Sequence, residues 1–141
     1  MGKQDVMAKI LPKGKGVWVP IDHGVTDFPC VGLENIEATI TAIIAGGANV
    51  IVAHKGVVDK YSHLCEGTAT SMIAHLSAST RHGGKNHSNK VLVGDVDEAI
   101  MRGAVGVSVQ ANIGSKKEST MLQRMGHITS VSYTHLRAHE T

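Results

Sequence analysis

Cysteine is scarce in this chain: Cys30 and Cys65 are the only two, too few for a disulfide framework. A reducing, cytoplasmic setting is therefore expected. The opening Met1-Gly-Lys-Gln-Asp5 lacks the apolar stretch of a secretory signal. Long hydrophobic runs are missing as well: the longest reach about seven residues, against about 20 for a membrane span, so no membrane association is expected. Charge of one sign is also missing. The net charge is +2 with 18% charged residues, and the basic side chains are scattered, leaving no basic patch that would bind nucleic acid.

What the chain does contain is a set of apolar runs that each end in reactive polar side chains. Val17-Trp-Val-Pro-Ile21 ends in Asp22-His23-Gly24, and Val50-Ile-Val-Ala53 in His54-Lys55-Gly56. Met72-Ile-Ala74 ends in His75-Leu-Ser77, and Val107-Ser-Val109 in Gln110-Ala-Asn112. Strands of a parallel barrel are buried on both faces and read as continuous apolar segments, with the chemistry at their carboxyl ends. The expected fold class is therefore α/β, a parallel (β/α)8 TIM barrel. At 141 residues the chain is well short of the roughly 250 such a barrel uses, so the expectation is a barrel truncated to about its first four β/α units.

Helical periodicity fills the gaps between strands. In the segment 32–47, Ile36, Ile40, Ile43 and Ile44 fall on one face, Glu34 and Glu37 suit the positive amino end, and Gly46 and Gly47 supply a stop. Val91-Leu-Val93 reads as a strand opening a second βαβ unit, with Asp95 and Glu98 at capping-box spacing, a stop at Gly103, and 105–109 as the next strand. A third helix is expected from Ser115, boxed by Glu118, with Met121, Leu122, Met125 and Ile128 on its buried side. Segments 57–70 and 79–90 read as loops, the first with a short helix near 60–64. In the second, Arg81, His82, Lys85 and His87 are candidate anion binders or a solvated surface. The last eleven residues, 131–141, read as the translated end of a transposon-type sequencing-library adapter, so residues 1–130 are expected to be the amino-terminal half of the barrel.

These segments resemble the archaeal-type class I aldolases, the family that holds fructose-bisphosphate aldolase and 2-amino-3,7-dideoxy-D-threo-hept-6-ulosonate synthase. The resemblance is carried by Val19-Pro-Ile-Asp-His-Gly-Val25, Gly32-Leu-Glu-Asn35, Gly46-Gly-Ala-Asn-Val-Ile-Val-Ala-His-Lys-Gly56, Ile73-Ala-His-Leu-Ser-Ala-Ser-Thr80, the stretch 90–100 and the stretch 103–114. It implies a barrel enzyme without metal or other cofactor, homo-oligomeric when full length. In such an enzyme a lysine forms a Schiff base with a sugar phosphate or keto substrate, and a carbon–carbon bond is then broken or made. The synthase of aromatic amino acid biosynthesis is the preferred branch, with fructose-bisphosphate aldolase as the alternative. An amine attacks a carbonyl only when unprotonated, and a nearby acid and base must shuttle protons.

By resemblance, Asp22 is the carboxylate that assists proton transfer; a cap of the strand-to-helix turn is its other reading. Substrate contacts are assigned to His23, His54, Lys55, His75, Ser77 and Asn112, with a structural role open for each of the histidines and for Lys55. The family's Schiff-base lysine and its tyrosine in a Tyr-Pro-Arg-Gly segment are expected beyond residue 130, so the literal chain is expected to be inactive. Two other readings compete. His23, His54 and His75 at neighbouring strand ends would suit a three-histidine zinc site, although no His-x-His pair supports it. A non-catalytic fragment is the second, with open sheet edges and an uncovered apolar interior that favour self-association.

Overall fold

The computed structural model describes residues 2–27 and 29–140. Its centre is a four-stranded parallel sheet in the order β1 (Trp18–Pro20), β2 (Val50–Ala53), β3 (Ser71–His75) and β6 (Gly106–Ser108). Two short strands, β4 (Ser77–Ala78) and β5 (Val91–Leu92), form a separate antiparallel pair. The helices are α1 (Lys3–Ile10), α2 (His23–Thr26), α3 (Ile36–Ala45), α4 (Lys55–Tyr61), α5 (Val96–Met101) and α6 (Glu118–Glu140). One helix follows each parallel strand in space, which makes four β/α units. Among the described residues, no helix is long and apolar enough to cross a membrane.

Parallel strands pair in register, so partners share a face. Val52 lies opposite Ile73 and Ile73 opposite Gly106, on the same side as Trp18 and Val50. The other side carries Ile51, Met72, Ala53 and Ala74, which pack with Ile40 of α3, Val58 of α4, Val96 and Ala99 of α5, and Ile128 of α6. Both faces of β2 and β3 are thus apolar, as the unbroken hydrophobic runs anticipate. The inner face is not bare at its amino-terminal end: Ile10 of α1 seals Val50 and Ile73, with Val6 and Leu11 alongside. Trp18 ties that helix to the sheet by donating from Nε1 to the Ile10 carbonyl at 3.0 Å.

The helix ends form for the reasons visible in the sequence, with three corrections. Asn35 caps α3 by accepting from Ala38 N at 3.1 Å, and the helix stops at Gly46 and a Gly47 with φ +79°. Asp95 caps α5 through Glu98 N at 2.8 Å, but the Glu98 side chain does not close the box, because two cations hold it. Gly103 ends that helix at φ +96°, where a Cβ would come within 2.5 Å of Ser62 Oγ. The first correction is that β5 does not open a parallel βαβ unit: Val91 and Leu92 pair antiparallel with Ala78 and Ser77, as an excursion between β3 and α5. The second is that the segment read as a loop at 57–70 begins as helix at Lys55, and runs on as a 3₁₀ turn Ser62–Cys65. The third is that α6 starts at Glu118, three residues late, and continues without a break past Ser130. Its packed side presents Met121 and Ile128, while Leu122 and Met125 are exposed.

Met121 is 2% exposed and Leu122 40% exposed, so adjacent substitutions should separate sharply. Met121→Ala is expected to cost about 2–5 kcal/mol and Leu122→Gln about 0.5 kcal/mol or less, read from urea midpoints. Equal losses would contradict this placement of α6.

Candidate active site

Polar strand ends on the inner face converge because residues an even number of positions along a strand point the same way. His75 is the last residue of β3 and lies in register with Ser108 of β6. Its Nδ1 sits 2.7 Å from Ser108 Oγ, and its Nε2 3.7 Å from Asp22 Oδ2 at the end of the first apolar run. Asp22 occupies the N-cap position of α2 but makes no capping hydrogen bond, and its carboxylate faces His75 instead. The Nδ1 of His54 donates to the His75 carbonyl at 3.1 Å, and the two rings lie 5.6 Å apart. That bond fixes the tautomer of His54 and leaves Nε2 as a bare acceptor, buried without a hydrogen-bond partner among the described residues.

His75 is buried, and burial disfavours the imidazolium, pulling its pKa below 6.5. Asp22 opposes the shift, while His54 and Lys90 add to it. A neutral ring can accept from Ser108 at Nδ1 and carry its proton at Nε2 toward Asp22. Asp22, His75 and Ser108 then form a hydroxyl–imidazole–carboxylate line across three strands, suited to moving a proton to or from a group above the strand ends.

The other candidate residues divide. Ser77 is buried and accepts from Gln110 N at 2.9 Å, anchoring the chain leaving β6. Asn112 donates to Ser88 O at 2.6 Å and accepts from Gln110 Nε2 at 2.8 Å, which ties the same chain to the 79–90 segment. His23 is exposed as the first residue of α2. Lys55 is not brought into the cluster. It follows His54 by one residue, and its ammonium is held by Glu98 at 3.0 Å. Glu98 also binds Arg102 at 2.9 Å, and Arg102 reaches Asp59 at 3.2 Å. The hydrogen bonds from Lys55 and then Arg102 hold the Glu98 carboxyl below its usual range. No group of three His, Cys, Asp or Glu side chains is arranged for a metal ion among the described residues, so His23, His54 and His75 do not assemble as a zinc site.

Two residues of the site escape a reading of strand ends alone. Ser108 lies inside an apolar run, where only its parity with Gln110 marks it as inward-facing. Lys90 is 7% exposed although it directly precedes β5, whose Val91 is exposed. Of the candidate anion binders, Arg81 and His87 line an open cavity of about 540 Å³, with Lys90, Gln110 and Asn112.

The depressed pKa of His75 has a stability consequence. The unfolded chain binds a proton at this histidine below about pH 6.5 before the folded one does, so stability is full above that pH and falls as pH drops toward the lowered folded value. The slope is at most about 1.4 kcal/mol per pH unit, and His75→Gln should flatten it. Urea midpoints between about pH 7.5 and 5.5 would check this; an identical slope in the variant would remove His75 as its source.

A family model described as DeoC/LacD family aldolase matches residues 16–135, well over half of the chain. The chain is 34% identical over 131 residues to 2-amino-3,7-dideoxy-D-threo-hept-6-ulosonate synthase 1 of Archaeoglobus fulgidus, covering 93% of this chain and 49% of that protein. It is 32% identical over 129 residues to the synthase of Halobacterium salinarum, covering 92% and 48%. Among solved structures, a Schiff-base-forming fructose-1,6-bisphosphate aldolase superposes with a TM-score of 0.75 at 22% identity, over 92% of this chain and 52% of the other. An archaeal fructose-1,6-bisphosphate aldolase with its catalytic lysine bound to a carbinolamine intermediate gives 0.73 at 21%. At that identity the structures speak to the fold alone, and they match the expected barrel segment. The chain spans about half the length of the curated relatives it matches. Strand order, helix order and the family match agree: this chain belongs to the DeoC/LacD family of aldolases.

Proposed function

We propose that this chain is the amino-terminal half of a class I aldolase of the 2-amino-3,7-dideoxy-D-threo-hept-6-ulosonate synthase type. In this reading residues 1–130 supply four β/α units and 131–141 are a translated adapter tail. The observation that carries the chemistry is the uncapped Asp22 carboxylate facing buried His75 at 3.7 Å. The relatives at 34% and 32% identity bear the synthase name, which favours that branch over fructose-bisphosphate cleavage. The substrate is a sugar phosphate or keto compound, and the full-length protein is a cytoplasmic homo-oligomer.

The residues present would serve proton transfer. Asp22 takes or returns the proton as the carbon–carbon bond breaks or forms, and His75, held by Ser108, keeps the carboxylate in position. The nucleophilic lysine lies outside these four strands: Lys55, the lysine next to a strand end, is neutralised by Glu98, and an ion-paired ammonium is a poor nucleophile. The 141-residue chain is therefore inactive by itself.

Borohydride reduction in the presence of a keto-sugar phosphate tests the assignment. A chain of the relatives' full length should give a covalent adduct on a lysine beyond residue 130, whereas an adduct on Lys55 would overturn the reading. Asp22→Asn in that protein should lower turnover by about 10²–10⁴-fold; near-normal turnover would remove Asp22 from proton transfer.

A further inference from the structure

We infer that two copies of this 141-residue chain associate by closing their half-barrels on each other, β1 of each copy entering a cleft beside β6 of the other. The inference needs only the sheet and its edges, so it goes beyond the aldolase reading and does not rest on it. Strand direction is the first observation. All four strands of the β1-β2-β3-β6 sheet run the same way, so its two free edges differ. A two-fold axis along the strands sets each β1 parallel to the other copy's β6, giving eight strands and no open edge. An axis across the sheet would instead pair like edges antiparallel and leave two exposed.

The edges suit that pairing. On either side of β1, the Val17 carbonyl accepts from Val50 and the Ile21 N–H donates to Val52. By alternation, Trp18 and Pro20 turn their backbone polar groups away from β2. Just before β6, the Val105 N–H donates to the Met72 carbonyl, which turns the backbone groups of Gly106 to the free side. Beside that edge lies an open cleft of about 480 Å³ with mainly apolar walls, among them Met7, Ile73, Ile100, Val105 and Val107. The segment offered to it, Val17-Trp-Val-Pro-Ile21, is apolar throughout, yet Val17 is 62% and Trp18 40% exposed. An exposed apolar strand and an open apolar cleft are each unfavourable in water, and each removes the other from it.

The exposed area has the size that such a contact needs. The chain exposes 8606 Å², whereas a folded monomer of its 14.9 kDa mass exposes about 7,000 Å². The excess of about 1,600 Å² is larger than the roughly 800 Å² per partner that a standard stable interface covers. Closure also gathers Asp22, His75 and Ser108 of both copies around one opening, with α1 of each copy over the opposite end.

Sedimentation equilibrium of the 141-residue chain tests the association, and a dimer is expected at the concentrations of an NMR sample. Isotope-filtered spectra of mixed labelled and unlabelled chains should show contacts between β1 of one copy and β6 of the other. Val17→Lys changes an exposed residue of the strand, and Ile100→Lys a 44% exposed residue of the cleft wall. Each should raise the dissociation constant at least about tenfold, because a charge placed in an apolar contact loses its water. Circular dichroism checks folding; if one variant does not fold the other decides, and if neither folds the wild-type contacts decide. The inference is overturned by a monomer, with or without a bound apolar molecule, or by species larger than a dimer. Contacts of β1 with β1 or of β6 with β6, or unchanged association of a folded variant, overturn it equally.

Discussion

The in-phase parallel register of β2, β3 and β6 decides on which side of the sheet their polar ends lie. Val52 opposite Ile73, and Ile73 opposite Gly106, put alternate residues of three strands on one side. Continuing that parity to the carboxyl ends brings His54, His75 and Ser108 to the same side, and sends Lys55 to the other. A slip of one residue in any strand would exchange the two sets, moving Ile51 and Met72 out of the helix-covered core. The cost of exposing that core protects the site geometry, although no site residue contributes to it directly.

Charge is handled differently on the two sides. On the helix side, Lys55, Glu98, Arg102 and Asp59 form a linked set of ion pairs at half-exposed positions. These neutralise one another and leave nothing reactive. On the inner side, Asp22 faces His75, whose charged form burial disfavours.

The strand ends were legible because both-face burial leaves an unbroken apolar run that stops where the chemistry begins. Asn35, Asp95, Gly47 and Gly103 were legible because capping and positive φ restrict residue type locally. Helix α4 was missed because its first turn follows the strand without a loop, and Lys55-Gly-Val-Val-Asp shows weak helical patterning. Strand β5 was assigned to the wrong partner: Val91-Leu-Val93 looks like any buried parallel strand, and only the Ser77–Leu92 pairing reveals an antiparallel excursion. For α6, the face chosen by periodicity included Leu122 and Met125, while contact with the sheet selected the line through Met121 and Ile128.

The sequence by itself determined the repeating strand and helix pattern and the family, and it offered Asp22 and His75 as candidate site residues, since each rests on local composition and spacing. The tertiary structure alone decided which neighbours share a face, and so which charges cancel. Lys55 and His54 are neighbours at one strand end; one meets Glu98 from a helix 43 residues on, and the other meets the His75 carbonyl of the next strand. That difference depends on long-range placement, which no local pattern encodes.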